Sequence, residues 1–581
     1  SDAEGKHTNI STWHYDSLGR VTRAVCDGKS YEYIYDAHGN LKEKRSNGKR
    51  LVSYTHDRAG QITEIMDPAG VSTRYEYDIL GRRSRIYNND GLEVRYGYDA
   101  LNRIRHIRYG NGVETAYTYD GDGNIRTLET KAGENVLLSF AYRYDGNGNR
   151  TAKTGTQAAL GGITSEITAG NNALDISYNY DVRGQLLEER RNGASVCYAY
   201  DKAGNRIRKT DAQGEIRYLY NEKNQLIAEE SPADRKQFSY DRQGGIIEEK
   251  NLAGIRRFSY NSRHQQTRVE TETGNVQENR YDAEGLRFEL LENGRRTSFV
   301  YHDGELLQEE GREEQGTSYH LGAGMEAFRR GQELSYYHRD EQLSTTFITG
   351  GHGDVLNSYQ YDAFGIPLDT TEQLNNRIRY TGQQYDDVTG QYYLRARYYN
   401  PVAGRFMQED VYQGDGLNLY AYCGNNPVVY DDPSGYASTS IGKACPPKGK
   451  ISESVDESGR DIVPDKGFSS FKDLKTHLDS PGDGKVWHHI VEQSQITGSG
   501  FSSEQVNNIN NVIAIPHGKG SIHAKISGYY SSKQFFTGGK TVRQWLAGQD
   551  FKTQFDFGMN LLKEYGDVIP SSKGWIFRTF E

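Results

Sequence analysis

Aromatic and polar side chains alternate along much of the chain. In Tyr31–Tyr35, Tyr75–Tyr77 and Tyr218–Tyr220, every second residue is a tyrosine. Alternation with a period of two places these rings on one face of a β-strand. Polar segments rich in Asp, Asn and Gly separate the alternating runs, as is typical of tight turns. The pattern therefore predicts many short strands connected by turns.

This strand and turn pattern repeats at intervals of mostly 20 or 21 residues. Each copy contains Tyr-Asp with a glycine three residues after the Asp. The Asp carboxylate can accept hydrogen bonds from backbone N–H groups two residues on, and the glycine can adopt a positive φ. Pairs such as Asn47-Gly48, Asp90-Gly91 and Asn192-Gly193 predict a second turn about ten residues later. The copies with an intact Tyr-Asp and glycine include those that begin at Tyr15, Tyr35, Tyr77, Tyr119, Tyr144, Tyr180, Tyr200, Tyr240 and Tyr281.

The composition changes how these strands are expected to pack. Only 35% of the residues are hydrophobic and the mean hydropathy is −0.84, values that are typical of disordered chains. However, the chain has 44 Tyr and 65 Gly against 12 Pro, so tyrosine rings whose hydroxyls find partners must supply much of the burial. Because one hairpin cannot bury its aromatic face alone, the units are expected to join into one long, curled sheet. No apolar run approaches the length of a membrane span.

The repeat resembles the YD-repeat (Rhs) family, which includes bacterial polymorphic toxins and the C subunits of insecticidal toxin complexes. The resemblance extends roughly from Trp13 to Gly435. It implies a mainly β protein in which a hairpin ribbon curls into a hollow β-shell around a C-terminal effector. We assign residues 1–360 to this shell. The first residues carry no visible secretory signal and are expected to lie inside a longer protein.

Residues 361–436 are denser in motifs and resemble the core-associated end of Rhs proteins, which is an aspartyl autoprotease. Matching the motifs position by position implies that Asp410 and Asp432 are the catalytic pair. Arg397 matches an arginine that the family also uses. The implied cleavage site is the Tyr436–Ala437 bond. Two carboxylates that share a site suit this chemistry, since one can retain a proton while the other activates water.

Two departures from the family pattern keep an alternative open. The element at Asp410 reads Asp-Val-Tyr-Gln, without the usual Pro and Gly, and Tyr436 stands where Leu is typical. Asp415 and Asp431 are neighbouring carboxylates that could take the same roles. In the alternative, Asp410 and Asp432 only form turns and caps.

The amino-acid composition changes after the repeat ends. Residues 437–466 contain Ser, Gly, Lys and Pro with mixed charge, and are predicted to be a linker. Residues 467–581 are predicted to be a small α/β domain. Within it, residues 471–478 predict a short helix, and the apolar residues between 542 and 565 have largely helical spacing.

A histidine doublet is the most informative feature of this last segment. It lies in Trp487–Gln493, and Asn510–Pro516 and His523 follow. Adjacent histidines on a strand point to opposite faces unless the strand ends there. A divalent metal with few protein ligands and a neutral imidazole that activates water can together cut a phosphodiester. The doublet therefore indicates phosphodiester chemistry.

The arrangement resembles the HNH/endonuclease VII superfamily, and specifically its WHH-type toxin branch with a ββα-metal fold. The resemblance implies that His488 and His523 bind a divalent metal, Mg²⁺ or Zn²⁺. It also implies that His489 is the general base and that Asn511 orients it. His517 is an alternative ligand.

The charge of the tail fits a phosphate-bearing substrate. From residue 512 to 581 there are nine Lys and Arg against five Asp and Glu, whereas the whole chain has a net charge of −9. The predicted phosphate contacts are Lys519, Lys525, Lys533, Lys540 and Arg543. Glu492 is an additional acid close to the doublet.

Together these features predict a toxin that is secreted or delivered into a target cell, where its nuclease acts in the cytoplasm on DNA rather than RNA. By family resemblance, the expected partners are a cognate immunity protein and a component of an export system. Two rival hypotheses remain. The chain could be a non-enzymatic YD-repeat surface or adhesion protein, or a toxin whose histidine doublet acts as a metal-independent RNase.

Overall fold

The computed structural model describes residues 11–158, 171–411, 418–440, 468–478, 480–481, 484–499, 501–518, 521–533, 540–547, 549, 551–563, 565–571 and 574–579. The chain forms two compact units, Ser1–Lys450 and Ile451–Glu581. Most of the predicted linker, from residue 441 onwards, lies outside the described residues, and so does Asp415.

One antiparallel sheet of 34 strands makes up most of the described first unit. Each strand pairs with the next one in the sequence, so the chain is a continuous meander, and the protein is mainly β as predicted. The strands are β1 (Ser11–Tyr15), β2 (Val21–Cys26), β3 (Lys29–Tyr35), β4 (Leu41–Ser46), β5 (Lys49–His56), β6 (Ile62–Met66), β7 (Ser72–Tyr77), β8 (Arg83–Tyr87), β9 (Glu93–Tyr98), β10 (Ile104–Tyr109), β11 (Val113–Tyr119), β12 (Ile125–Ala132), β13 (Asn135–Tyr144), β14 (Arg150–Ala158), β15 (Asn171–Tyr180), β16 (Leu186–Arg191), β17 (Ala194–Tyr200), β18 (Arg206–Asp211), β19 (Gly214–Tyr220), β20 (Leu226–Glu230), β21 (Arg235–Tyr240), β22 (Ile246–Asn251), β23 (Gly254–Tyr260), β24 (Gln266–Glu270), β25 (Val276–Tyr281), β26 (Arg287–Glu292), β27 (Arg295–His302), β28 (Glu305–Glu310), β29 (Thr317–Leu321), β30 (Met325–Arg330), β31 (Glu333–Arg339), β32 (Thr345–Thr349), β33 (Val355–Tyr361) and β34 (Pro367–Glu372).

The Tyr-Asp turns have the geometry that the sequence predicts. In the turn at Asp36, the carboxylate accepts hydrogen bonds from the N–H groups of His38 and Asn40, both at 2.9 Å. Gly39 has a φ of +90° and donates its N–H to the Asp36 carbonyl. In degenerate copies, Asn102, Asn224 and His264 take the positive φ instead of glycine. The turn is therefore set by local chemistry.

The second turns are of two kinds. At Asn47-Gly48 both residues have positive φ, at 51° and 73°, as a two-residue hairpin turn requires. Asp90-Gly91 does not form such a turn. Asn88 accepts hydrogen bonds there from the N–H groups of Asp90 and Leu92, in the same manner as the Asp of a Tyr-Asp turn. The predicted hairpin pair is thus the second half of a four-residue turn.

The tyrosine before most of these turns links its repeat to an earlier one. Its hydroxyl donates a hydrogen bond to the carbonyl of the first residue of a preceding strand, and the strand register shifts at the tyrosine itself in pairs such as β3–β4. Such bulges increase the local twist of a sheet, and each hydrogen bond contributes about 1 kcal/mol. The bonded pairs are Tyr35–Val21, Tyr77–Ile62, Tyr98–Arg83, Tyr119–Ile104, Tyr144–Ile125, Tyr180–Arg150, Tyr200–Leu186, Tyr220–Arg206, Tyr240–Leu226, Tyr260–Ile246, Tyr281–Gln266 and Tyr301–Arg287.

The twisted sheet coils until distant repeats touch. The Tyr31 hydroxyl donates to the Asp282 carboxylate at 2.9 Å, and Ser318 donates to Asp67 in the same way. Both pairs are 251 residues apart in sequence. The first unit therefore contains side-chain hydrogen bonds between successive coils of the ribbon.

A buried ion cluster holds two coils together around Glu341. Arg150 and Lys153 approach its carboxylate to 2.6 and 3.0 Å, and Tyr142 donates to it at 2.6 Å. Burial opposes ionisation of Glu341, but the charges of Arg150 and Lys153 outweigh it and lower the pKa of this carboxyl to about 2. Glu341 is therefore ionised and paired at neutral pH.

The end of the first unit packs on a row of Tyr-Asp turns. It contains the 3₁₀ turns Tyr380–Gly382 and Cys423–Asn425, a four-stranded sheet of β35 (Gln384–Asp386), β36 (Gln391–Leu394), β37 (Arg397–Asn400) and β38 (Arg405–Phe406), and the pair β39 (Tyr430–Asp431) and β40 (Thr439–Ser440). Hydrogen bonds join Asn426 to Asn149, Asn425 to Gly204, Asn418 to Asn205, Arg405 to Asn224 and Tyr420 to Gly244.

The second unit contains a mixed sheet and several helices. Residues 471–478 are helical as their pattern predicts, whereas the apolar stretch after 542 forms two helices. The sheet order is β41, β42, β44, β43, and only the β42–β44 pair is parallel. The elements are α1 (Phe471–Leu478), β41 (Lys485–His489), α2 (Gln495–Gly498), α3 (Ser503–Val506), a 3₁₀ turn (Ile509–Asn511), β42 (Val512–Pro516), α4 (Ile522–Ser531), α5 (Val542–Leu546), α6 (Phe551–Lys563), β43 (Gly566–Ser571) and β44 (Gly574–Thr579). Within the parts of the chain that the structure describes, no helix is long and apolar enough to cross a membrane.

Candidate functional site

Arg397 brings the two predicted aspartates of the first unit together. Its Nη2 atom lies 2.7 Å from Asp410 Oδ2 and 3.4 Å from Asp432 Oδ2. All three side chains are buried. The guanidinium lies 3.5 Å from the centroid of the Phe406 ring, which fixes its plane, and donates to the Leu419 carbonyl at 3.0 Å. Arg397 therefore compensates the charge of a buried carboxylate pair.

The two oxygens of Asp432 have different partners. Oδ1 accepts hydrogen bonds from the N–H groups of Gly435, Tyr436 and Ala437, at 2.8, 3.2 and 3.2 Å. Oδ2 faces Arg397. Asp432 is thus a turn-forming residue, as the alternative reading expects, and it also contacts the amide nitrogen of the predicted cleavage site.

Gly435 lies where the loop crosses strand β37. Its φ is +74°, and Arg397 Nε donates to its carbonyl oxygen. A Cβ atom at this position would lie 2.9 Å from Arg397 N and closer still to the Leu394 carbonyl. Both contacts are with backbone, so neither can move aside easily.

Gly435→Ala is therefore expected to displace the loop from Arg397. The substitution combines a strained φ with a backbone clash, and we expect self-cleavage to fall at least about 100-fold, as for a misplacement of about 1 Å in a reacting group. A time course on denaturing gels measures this. Gly424→Ala is the matched control, because Gly424 also has a positive φ but has open space around it. Equal cleavage by both variants would contradict the assignment.

Asp431 lies beside this pair but has its own partner. Its Oδ1 accepts a hydrogen bond of 2.6 Å from the Thr439 hydroxyl. Burial raises the pKa of Asp431 to about 6, the charge of Asp432 adds to the rise, and the bond from Thr439 opposes it.

In the second unit, His488 and His523 come together as predicted for metal ligands. Their ring centroids are 5.3 Å apart, and those of His517 and His523 are 5.1 Å apart. Burial lowers the pKa of His488 to about 3 and also lowers that of His523. Both rings are therefore neutral at pH 7, the form that binds metals.

The spacing of these rings fits a metal with two protein ligands. Two imidazoles that bind one tetrahedral ion at about 2.0–2.1 Å have centroids about 5.2 Å apart. Over the residues that the structure describes, no group of three or more His, Cys, Asp or Glu has the arrangement of a metal site. The pair His488–His523 fits a two-ligand site, and His517 is adjacent to the second ligand.

His489 points to the opposite side of the strand, towards α1 and α3. Its Nε2 atom lies 3.2 Å from Asn507 Oδ1, and its ring centroid is 4.3 Å from that of Phe471. Burial lowers the pKa of His489 to about 4, and the bond to Asn507 opposes this. With a proton on Nε2, the lone pair of the neutral ring lies on Nδ1.

The hydrogen-bond partner of the His489 ring is Asn507, where we expected Asn511. The Asn511 side chain is fully buried and is bonded to backbone: it accepts from Val491 N at 2.8 Å and donates to the carbonyls of Val491 and Val506. The segment contains Asn507, Asn508, Asn510 and Asn511, so its sequence does not say which asparagine reaches the ring.

Replacing the two asparagines should therefore have different effects. Asn511→Ala is expected to destabilise the second unit by about 3 kcal/mol, because it leaves three buried backbone groups unpaired. Asn507→Ala is expected to destabilise it less and to change the titration of His489. Thermal unfolding of the full chain and NMR titration of the imidazole measure the two effects. Equal destabilisation without a change in the titration would contradict this distinction.

The predicted phosphate contacts are not equally available. Arg543 forms a bidentate ion pair with Glu492, with N–O distances of 2.6 and 2.7 Å, so this guanidinium is already engaged by a carboxylate. Lys525 lies over the ring of Tyr565, with Nζ 5.7 Å from its centroid. Lys519 lies outside the described residues.

Family comparisons agree with the repeat and turn pattern. The teneurin YD-shell model matches residues 157–428, and the RHS repeat model matches residues 56–93. The matched residues lie in the first unit, which carries the Tyr-Asp repeat.

Relatives of this YD-repeat chain include several toxins. It is 40% identical over 177 residues to the tRNA3(Ser)-specific nuclease WapA of Bacillus spizizenii, a match that covers 27% of this chain and 7% of that protein. It is 30% identical over 169 residues to the double-stranded DNA deaminase toxin A of Burkholderia cenocepacia, which covers 28% of this chain and 12% of that protein. The chain thus spans a small part of these curated relatives.

A solved structure is also similar to the YD-repeat chain. The crystal structure of TcdB2-TccC3 matches with 16% identity and a TM-score of 0.42, over 73% of this chain and 28% of that one.

Proposed function

We propose that this chain is the core and effector part of an Rhs polymorphic toxin used in competition between bacteria. Its first unit would enclose and then release the second by cutting the Tyr436–Ala437 bond. The second unit would be a metal-dependent nuclease that acts in the cytoplasm of the target cell. The observation that carries the proposal is the convergence of Asp410 and Asp432 on Arg397 beside the proposed cleavage site.

The two aspartates would have separate roles. Asp410 would take a proton from water, whose oxygen adds to the Tyr436 carbonyl carbon. The Ala437 N–H donates to Asp432 Oδ1 at 3.2 Å, so this carboxyl lies beside the leaving nitrogen, and Asp432 would protonate that nitrogen as the C–N bond breaks. When the C–N bond breaks, the products are a Tyr436 carboxylate and an Ala437 amine. Arg397 stabilises the carboxylate pair while their protons are exchanged.

In the second unit, the proposed reaction is phosphodiester hydrolysis. His488 and His523 would hold a divalent ion, Mg²⁺ or Zn²⁺, which would stabilise the negative charge that develops on the phosphate. By the family resemblance, His489 would accept the proton of the attacking water at Nδ1. Because its ring lies on the opposite side of β41 from the His488–His523 pair, this role requires the end of the strand to turn when substrate binds. Asn507 would position this imidazole by accepting its Nε2–H, a role that the sequence comparison assigned to Asn511.

The proposed substrate is DNA, and the described candidates for a phosphate contact besides Arg543 are Lys525, Lys533 and Lys540. Two further partners are proposed from the family resemblance. A cognate immunity protein would bind the second unit in the producing cell, and a component of an export system would deliver the toxin.

The decisive experiment purifies the full chain and separates it on a denaturing gel. Two products that end at Tyr436 and begin at Ala437 are expected, as identified by mass spectrometry. The released fragment is then incubated with plasmid DNA and total tRNA in Mg²⁺, Zn²⁺ or EDTA. Metal-dependent loss of DNA supports the proposed nuclease. An intact chain without nuclease activity under any condition would support a non-enzymatic surface protein.

A second candidate function is a metal-independent RNase in the same scaffold. It is favoured by relatives named as tRNA nucleases. Cleavage of tRNA that persists in EDTA would select this function over the first.

A further inference from the structure

The proposed cleavage site lies in a loop between two strands that pair with each other. Strands β39 and β40 pair Tyr430 with Ser440 and Asp431 with Thr439, so that residues 432–438 form the loop of a hairpin. Cleavage of the Tyr436–Ala437 bond would therefore occur between two paired strands.

A side-chain contact reinforces the base of this hairpin. The Thr439 hydroxyl donates a hydrogen bond of 2.6 Å to Asp431 Oδ1. Asp431 is only 7% exposed, so its carboxylate is held in a fixed place by the core of the first unit. Hydrogen bonds from a hydroxyl to a buried carboxylate are among the stronger ones in proteins.

The loop itself is attached to the core at its centre. Ala396 donates its backbone N–H to the Ser434 carbonyl at 3.2 Å. The Asp432 carboxylate accepts hydrogen bonds from the backbone N–H groups of the residues that follow. The residues on the N-terminal side of the bond are thus fixed by Asp432 and Ala396. On the C-terminal side, the contact of Thr439 with Asp431 does the same.

We propose that Thr439 determines the specificity of self-cleavage: Asp431 recognises its hydroxyl and so positions the bond that is cut. The inference rests on the self-cleavage proposed above. Thr439 is a positioning residue, since it is the third residue after the scissile bond. It would leave with the released fragment, so the part of the first unit that precedes the bond would recognise a residue on the far side of it.

The physical reason is the cost of misplacing a reacting bond. Without the Thr439 hydroxyl, residues 437–440 would be held only by the Ala437–Asp432 hydrogen bond and the backbone pairing of β39 with β40. This segment would then be less well fixed, and the Tyr436 carbonyl would spend less time beside Asp410 and Asp432. An effector joined at Ala437 would then need threonine or serine at position 439 to be released efficiently.

The test uses the full chain in cell-free translation, followed over time on denaturing gels. Thr439→Val removes the hydroxyl and keeps the shape, and is expected to slow cleavage about tenfold, as for the loss of one hydrogen bond to a charged group. Thr439→Ser keeps the donor and is expected to cleave within about twofold of the unmodified chain. Asp431→Leu should match Thr439→Val.

Three controls separate the outcomes. Thermal unfolding of Thr439→Val in an Asp432→Asn background, where no cleavage is expected, shows whether the first unit still folds. Mass spectrometry shows whether the fragment still begins at Ala437. If the unmodified chain does not cleave, self-cleavage itself fails and the inference fails with it. If the unmodified chain cleaves and Thr439→Val cleaves at the same rate, or Thr439→Ser is equally slow, only the role of Thr439 is overturned.

Discussion

Asp432→Asn is expected to leave the protein as a single band of 581 residues on a denaturing gel. Asparagine can still accept hydrogen bonds from the loop through its side-chain oxygen, so the loop should keep its course. It cannot protonate the leaving nitrogen of Ala437, and the loss of one member of a carboxylate pair should reduce cleavage by at least about 100-fold. Asp410→Asn should have the same effect, because its carboxylate is proposed to activate the water.

The control for these variants is Asp362→Asn. Asp362 is a half-buried aspartate of a Tyr-Asp turn whose Oδ1 accepts from the N–H groups of Phe364 and Ile366. It makes the same kind of turn contact as Asp432 without a scissile bond. Cleavage should proceed normally in this variant. If Asp432→Asn is cut as fast as Asp362→Asn, then Asp432 is only a turn residue.

His489→Ala is expected to lower nuclease activity by about 100-fold or more, since general-base catalysis contributes about 10²–10⁴-fold. The metal should still bind this variant, because His489 lies on the opposite side of the strand from His488 and His523. His488→Ala should instead weaken binding of the metal. Isothermal titration with Zn²⁺ and a plasmid-cleavage assay on the same samples distinguish the two effects.

His477→Ala is the matched control for the histidine variants. His477 is on α1 and stacks on Phe468, with centroids 5.1 Å apart. Its removal should change neither metal binding nor cleavage. Full activity of His489→Ala in Mg²⁺ would exclude His489 as the base, and tRNA cleavage that is insensitive to EDTA would favour the metal-independent RNase.

The parts of the fold that could be predicted from the sequence are local. The Tyr-Asp turn depends on one carboxylate and one residue with positive φ, both within four residues, so its geometry at Asp36 follows from the sequence alone. The predicted turn type is wrong where a residue outside the predicted pair makes the deciding hydrogen bonds. Asp90-Gly91 has the composition of a hairpin pair. However, the Asn88 side chain accepts hydrogen bonds from the backbone N–H groups of Asp90 and Leu92, and a longer turn forms.

The candidate sites were only partly predictable because their contacts join distant segments. Asp410 and Asp432 were identified by family motifs, and nothing local in either motif shows that Arg397 bridges them. Arg543 and Glu492 are 51 residues apart, so their ion pair could not be read from the sequence. The choice of Asn507 over Asn511 depends on the path of the chain between α3 and β42.

The coils of the first unit also restrict how its length can change. Tyr31–Asp282 and Asp67–Ser318 connect residues at the same sequence separation of 251, which is about twelve repeats. Insertion or deletion of one repeat between such partners would shift every pair between the coils by about 20 residues. The hairpin ribbon is modular along its own direction, but each contact between coils needs a set number of residues between its partners, 251 for these pairs and 191 for Arg150–Glu341. Repeats can therefore be gained or lost at an end of the ribbon more easily than within a coil.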